Sequence, residues 1–492
     1  MQEKKGSNPD IILIVIDALR ARNLGCYGGD VDSSPNIDNI AEKGILFEKC
    51  YSCWNTTDQS LTSIFSGRYP RTHGIVHHGD KITPADLNIF NSLNVKLLAE
   101  ILQNSGYKTF AVDWMGRWFR NGFDYYGYKP ERTFFTKLFY RIFTVPYVHL
   151  RYMVANIGLL KIYAKKRKTS IQSTWKGLRD VWSTFRFSFE LARIQDANYV
   201  TSLVEGLIKK EKNENFFLFL HYWDTHSPYN CPKRFVSKTR GSRKPESLFL
   251  SKYYGAVRYV DDSLGKLMAI LENEKLLDNT LIIITSDHGE SLTEHSIFFD
   301  HHGLYDVTTH VPLIFYHPDI FPKSKKIKGL VQHIDVVPTL YELLNIESKD
   351  LAFDGTSLLP LVRGEKEEIR SFALSEESYV QRKIGIRTKK FKYIFAPDGV
   401  GLCNYCQKVH KGAEEFYNLE DDPHESVNRF HNDRNEAEKL RRKLDDLLKS
   451  LDNKRRKQMN KGKRKEMPSK YGQNLKEEKK IKNKLQSLGY MD

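Results

Sequence analysis

Short, continuously apolar runs alternate along this chain with amphipathic stretches, and that alternation limits the folds open to it. Residues 11–16 are aliphatic throughout and almost all β-branched, the pattern of a strand buried on both faces in a parallel sheet. Ser34-Pro35-Asn36 then opens a helix with Ile37, Ile40 and Ala41 on one face and Gly44 as its stop. Helical spacing returns over 95–103 through Leu97, Leu98, Ile101 and Leu102, Gly106 ends it, and a strand is predicted at 107–112. Runs at 216–221, 281–286 and 311–316 repeat the strand pattern, with helical stretches between them. Strand and helix in alternation predict an α/β fold, a large mostly parallel sheet sandwiched by helices. That domain is expected over 1–364. Weaker, more polar strand signals at 384–388 and 393–396 predict a small antiparallel α+β subdomain over 365–434. A Lys-rich tail, helical or disordered, is expected over 435–492.

Length and composition permit this reading. The chain has 492 residues and 40 % hydrophobic residues, enough for a sizeable core and a lesser second unit. Its net charge is +16, but the excess is local. Residues 129–196 carry 14 Lys/Arg against 4 Asp/Glu, and residues 451–492 carry 14 against 5. The remainder is slightly acidic, which argues against nucleic acid as a partner. The aromatic, basic stretch 129–195 reads as a helical insertion. It suits peripheral contact with an anionic membrane surface, a lid over an anionic substrate, or an ordinary solvated face. Its most apolar part, 134–163, is broken by Lys137, Arg141 and Arg151 into uncharged windows of at most nine residues, whereas a spanning helix needs about 20. Residues 1–9 have no signal-peptide character. The expectation is a cytoplasmic protein, with the insertion a candidate for contact at the inner membrane face.

Three places carry chemistry, each just past a predicted strand, where open α/β sheets bind ligands. Asp17 closes the first strand and reads as a metal ligand or a helix cap. Thr57 opens a short helix stopped by Gly67. A hydroxyl there meets the positive end of the helix dipole, which favours an alkoxide; the plainer alternative is an N-cap threonine. The third place is Ser286-Asp287-His288-Gly289-Glu290, followed by Asp300-His301-His302. Adjacent Asp and His at a strand end can turn toward one cation, and seven of the 16 histidines fall between His221 and His310. Cys50, Cys53, Cys403 and Cys406 form two paired motifs that could make a zinc knuckle only if the fold joined them; chance or packing is the alternative.

At this point the chain resembles the sulfatase family of the alkaline-phosphatase superfamily over nearly its whole length. The carriers include Ile14-Val15-Ile16-Asp17, Pro35-Asn36-Ile37-Asp38, Ser66-Gly67-Arg68-Tyr69-Pro70 and Trp223-Asp224-Thr225-His226-Ser227-Pro228. They continue with Ser286-Asp287-His288-Gly289-Glu290, His333-Ile334-Asp335 and Asp354-Gly355-Thr356. The resemblance implies one divalent ion (Ca, Mn, Zn or Mg) on Asp17, Asp287 and His288, with Thr57 as nucleophile and further metal ligand. It places His226 and either His301 or His302 against the ester oxygens or the leaving group. Asp224, Arg68 and His333 become substrate or supporting residues, with Asp224 expected to orient His226 or its loop. The sequence also departs from the family. Sulfatases carry a Cys or Ser that matures to formylglycine, and threonine cannot, so no formylglycine is expected. Position 18 is Ala where many members hold a second metal-binding Asp, and His301 falls where many hold an anion-binding lysine.

The expected function is therefore metal-dependent hydrolysis of phosphate (di)esters or sulfate esters through a covalent Thr57 intermediate. The substrate is an anionic ester on a glycan or lipid. A transferase moving a phosphoryl-linked head group to a glycan or lipid shares the same intermediate. A non-catalytic anion- or membrane-binding protein is the third reading, and the joint presence of Asp17, Thr57, Asp287 and His288 argues against it.

Overall fold

A computed structural model of the chain describes residues 8–127, 196–236, 245–346, 351–378, 380–401 and 409–462. The insertion expected at 129–195, Cys403, Cys406 and the tail beyond 462 lie outside the described residues.

The strands, in chain order, are β1 (Asp10–Ile16), β2 (Ile45–Tyr51), β3 (Lys108–Val112), β4 (Tyr125–Tyr126), β5 (Phe216–Tyr222), β6 (Thr280–Thr285), β7 (His310–Val311), β8 (Leu313–Tyr316) and β9 (Lys325–Gln332). They form one mixed sheet in the order β4-β3-β5-β1-β6-β8-β2-β7, with β9 also paired to β2. The five strands from β4 to β6 are parallel, and β8 turns antiparallel against β6. The run predicted at 311–316 is two strands, because Pro312 between β7 and β8 has no N–H to donate to a ladder.

Period-two alternation along the central strands places one set of side chains on each face. Ile11, Leu13 and Val15 join Phe217, Phe219, Leu281 and Ile283 in one core, while Ile12, Ile14 and Ile16 join Leu218, Leu220, Ile282 and Ile284 in the other. This is why β1, β5 and β6 read as unbroken apolar runs: both faces are covered by helices. Helix Pro35–Lys43 begins at Ser34 with Pro at its first turn and ends at Gly44, and it packs beside the long helix Pro245–Asn273.

A second, antiparallel sheet follows in the order β10 (Ala373–Glu377), β11 (Lys383–Arg387), β12 (Phe391–Phe395) and β13 (Glu414–Asn418). Helix Arg434–Gly462 lays Ala437, Leu440, Leu444 and Leu451 on it, in a cluster that also takes Cys53, Tyr69 and Ile334 from the larger unit. Among the described residues, no helix is long and apolar enough to cross a membrane.

Candidate active site

The register brings the three chemical loops to one edge. Ile16 pairs with Tyr222 across β1 and β5, and Val15 with Thr285 across β1 and β6. Asp17, the segment from Trp223 onward and Ser286-Asp287-His288 therefore leave the sheet side by side at the carboxyl ends of parallel strands.

Thr57 reaches this edge from the helix Thr57–Ser66, every residue of which is buried. So polar a helix is tolerated because its hydroxyls are satisfied. Ser60 donates to the Trp54 carbonyl and Thr62 to the Asp58 carbonyl, while Trp118 Nε1 donates to Thr62. Gly67 ends the helix at φ 64°, with the Phe353 ring 2.9 Å from where a Cβ would sit. The N-cap position belongs to Thr56, so Thr57 is the first helical residue. This corrects the alternative that made Thr57 the cap.

Thr57 Oγ1 donates to Asp17 Oδ2 at 3.3 Å. The other Asp17 oxygen, Oδ1, has no donor. Asp287 is divided in the same way: Oδ1 accepts from the Ala18 and His288 amides at 3.1 and 2.8 Å, and Oδ2 has no donor. Two imidazoles complete the cluster. His288 Nδ1 donates to the Gly289 carbonyl at 2.8 Å and His221 Nδ1 to Asp113 at 2.9 Å, because a carbonyl or a carboxylate can only accept. Each ring then turns Nε2 toward the carboxylates: His288 Nε2 lies 3.4 Å from Asp287 Oδ2 and His221 Nε2 3.8 Å from Asp17 Oδ2. Neither nitrogen has a hydrogen-bond partner, and all four residues are fully buried.

Buried carboxylate oxygens and ring nitrogens left without partners this close together are costly unless a cation lies between them. The donor atoms of Asp17, His221 and Asp287 fall within 4.8 Å of one another, so the residues present fit a metal ion. The electrostatics agree. Burial, together with the Asp287 and Glu290 charges, pushes the Asp17 carboxyl well above its usual range. For Asp287, burial is outweighed by the His288 and His221 rings and by the Thr57 hydroxyl, and its carboxyl is held low. Glu290, buried with no donor to either oxygen, is itself pushed up by burial and by Asp300.

Around this cluster the remaining residues of interest separate. His301 packs on His288 with ring centres 4.4 Å apart and lies 5.9 Å from His226. Its Nδ1 donates to the Asn55 carbonyl at 2.6 Å, and His226 Nδ1 donates to the Ser227 carbonyl at 2.8 Å. Both rings are held neutral by burial, His226 at about 4. His302 instead turns to Asp300, 3.2 Å away, and to the His410 ring, so the structure distinguishes two neighbours that the sequence left equivalent. His333 lies close enough to feel the Asp287 charge, although burial dominates and lowers it to about 4.

Two expected residues are not brought to the cluster. Asp224 accepts from the Ala197 amide at 3.2 Å, so it joins the loop that carries His226 to the start of helix Ala197–Glu211. Arg68 points to Gln458 on helix Arg434–Gly462, 3.3 Å away. Sequence reasoning also missed His221 and its partner Asp113. The available signal was an imidazole inside a strand otherwise made of Phe, Leu and Tyr. Of the paired cysteines, Cys50 and Cys53 are buried free thiols.

Comparison with known proteins bears on this site. Residues 9–346 match the family model for sulfatases, and residues 293–454 match that for N-sulphoglucosamine sulphohydrolase, C-terminal. An arylsulfatase of Clostridium perfringens is 23 % identical over 90 % of this chain and 93 % of its own length. An N-acetylglucosamine-6-O-sulfatase of Bacteroides thetaiotaomicron is 23 % identical over 87 % of this chain and 84 % of its own. The phosphonate monoester hydrolase of Agrobacterium radiobacter shares the fold, with a TM-score of 0.62, 18 % identity, and coverage of 91 % of this chain and 97 % of that one.

Proposed function

We propose, from the premise that this chain belongs to the sulfatase family, that it hydrolyses a singly charged sulfate or phosphate ester, with Thr57 as nucleophile. The observation that carries this reading is the Thr57 hydroxyl held 3.3 Å from Asp17, within a buried cluster of unpartnered carboxylate oxygens and imidazole nitrogens. A divalent ion bound there supplies positive charge that acidifies the hydroxyl and polarises the ester.

The protein's own groups do the rest. Asp17 Oδ2 accepts the Thr57 hydroxyl proton in its hydrogen bond, and the helix N-terminus behind Thr57 favours the alkoxide. The alkoxide attacks the central atom in line with the leaving oxygen. Threonine offers one oxygen, so the Thr57 ester is released by water attacking that same atom. His226 and His301 have committed Nδ1–H to carbonyls, which leaves Nε2 as the acceptor nitrogen. An anionic group seated against these rings raises their proton affinity, and the imidazoles then hold the ester oxygens and pass a proton to the leaving group.

Charge favours a singly charged ester. Asp17 and Asp287 would balance a dication, His226 and His301 are neutral until the ester binds, and the Arg117 guanidinium is paired to Asp58 at 3.3 Å. Among the described residues, a phosphate monoester dianion would need both rings protonated for balance, whereas a singly charged ester needs only one. The glycan sulfatase among the relatives supports a sugar as the carrier of the ester. The test is an assay on aryl sulfate, aryl phosphodiester and aryl phosphate monoester with added divalent metals, beside Thr57→Ala. Cleavage of sulfate or diester in preference to monoester, lost by at least about 10³-fold in Thr57→Ala, is the expected result. Undiminished turnover by Thr57→Ala would overturn the nucleophile assignment.

A further inference from the structure

We infer that His221 is a fourth protein donor to the cation, clamped by Asp113, and that it makes the site select a borderline ion such as Zn²⁺ over Ca²⁺. This rests on the reading that the Asp17–Asp287 pocket holds a cation, and extends it to which cation and by which residue.

A histidine at this place needs a reason. It is the penultimate residue of β5, fully buried, with the Phe219 ring 5.8 Å and the Trp223 ring 4.6 Å away. An apolar residue would fill such a space at lower cost, since a buried imidazole must find partners for two nitrogens. His221 finds one. Nδ1 donates to Asp113 Oδ1, and Asp113 is itself fixed on its other oxygen by the Met115 amide at 3.1 Å and the Tyr126 hydroxyl. That chain sets the tautomer and the ring plane, as a carboxylate does behind a metal-bound imidazole. Nε2 is left without a partner, aimed at Asp17 from the neighbouring strand, where Val15 of β1 pairs with His221.

The chemistry of the donors points to the ion. Two ligands of a tetrahedral ion with bonds of about 2.0–2.1 Å stand about 3.3–3.4 Å apart. The 3.4 Å between His288 Nε2 and Asp287 Oδ2 and the 3.8 Å between His221 Nε2 and Asp17 Oδ2, with Asp17, His221 and Asp287 gathered within 4.8 Å, allow the donors to share one ion, and the donor chemistry selects which. Calcium takes about 6–8 oxygens at longer bonds, whereas imidazole suits zinc and its neighbours. This pocket offers two carboxylates and two imidazoles, and position 18, between β1 and the pocket, is an alanine with no ligating atom.

The full chain, stripped with a chelator, is dialysed against equal concentrations of Zn²⁺, Mn²⁺ and Ca²⁺ and its metal content measured. Zn²⁺ should be retained and Ca²⁺ should not. His221→Ala and the bulkier His221→Gln should weaken Zn²⁺ binding by at least about 10–100-fold, and Asp113→Asn by about 10–100-fold. In the Co²⁺-loaded protein, the visible d–d bands should shift with each His221 change, a readout that needs no turnover. Preferential retention of Ca²⁺, or Zn²⁺ affinity and Co²⁺ bands untouched in a folded His221 variant, would overturn the assignment. If His221→Ala fails to fold, His221→Gln and Asp113→Asn decide it. Asp287→Asn separates the two levels of the argument. Its failure to lower metal content removes the cation site altogether, while loss in Asp287→Asn with none in the His221 variants removes only this inference.

Discussion

At the scale of single residues, the candidate site depends on which way a side chain faces rather than on where it sits in the sequence. His301 and His302 are neighbours, yet only the first lies against His288 and His226, while the second turns to Asp300 and His410. On the proposed mechanism, loss of His301 removes a ring that would hold the ester oxygens, an effect of about 10²–10³-fold on kcat for a group of this kind. Loss of His302 leaves the Asp300 carboxylate without the ring that faces it at 3.2 Å. His301→Ala should lower kcat by that amount with little change in thermal midpoint. His302→Ala should show the reverse, a lower midpoint and a kcat within about tenfold. Steady-state kinetics and melting curves on both variants check this, and a reversed pattern would contradict the placement. The same contrast explains what the sequence could and could not reveal. Asp17, Thr57, Asp287 and His288 were legible because strand ends and a helix start fix where those residues emerge. Arg68 and Asp224 stood in equally telling motifs but face a helix and a backbone amide. His221 was hidden because an imidazole at the end of an apolar run looks like part of the run.

At the scale of elements, the strands were legible for a physical reason: a strand covered on both faces has to be apolar at every position, and nothing else writes β-branched residues so densely. Helix ends read well where Pro and Gly mark them, as at Pro35 and Gly44. What joins one element to another was not legible, and Asp261 is the clearest case. From the middle of helix Pro245–Asn273 it accepts from the Asn36 and Ile37 amides and from the Asn36 side chain at 2.8–2.9 Å, tying down the start of helix Pro35–Lys43. Burial nonetheless raises its carboxyl to about 6, against the pull of those hydrogen bonds. An unfolded aspartate titrates near about 3.9. Between pH ~4 and ~6 the folded protein thus keeps a proton that the unfolded chain has lost, and this contribution to stability falls as pH rises through that window. The unfolding free energy of the wild type minus that of Asp261→Asn should decline by roughly 1–3 kcal/mol from pH 4 to pH 6 and stay level above. Denaturant melts at several pH values measure it. Parallel curves would mean that the proton is not held.

At the scale of the whole molecule, the small sheet is part of the site rather than an appendage to it. β10 docks on the segment leading into helix Thr57–Ser66: the Glu376 amide donates to the Cys53 carbonyl at 3.0 Å, and Ser375 donates to the Ser52 carbonyl at 2.6 Å. Glu377 then accepts from Asn55 Nδ2 at 3.2 Å and from the Gly303 amide at 2.7 Å. Asn55 in turn holds His301 at two points, donating to its carbonyl at 2.8 Å and accepting its Nδ1–H at 2.6 Å. A carboxylate from the second sheet therefore braces Asn55, whose side chain holds the His301 backbone and whose main-chain carbonyl holds the ring that packs on His288. Removing it leaves the Gly303 amide without its acceptor in a buried place, at about 1–3 kcal/mol, leaves Asn55 Nδ2 held only by the His301 and Gly303 carbonyls, and lets His301 drift. Misplacement of a catalytic group by about 1 Å costs on the order of 10²-fold. Glu377→Ala should thus lower kcat by about 10–100-fold with KM changed less than about threefold, because nothing that touches substrate has been removed. Glu377→Gln keeps one acceptor oxygen of the same reach, so it should recover most of the loss. A merely structural role predicts a different outcome, in which Glu377→Ala lowers the thermal midpoint but leaves kcat intact once the protein is folded at low temperature.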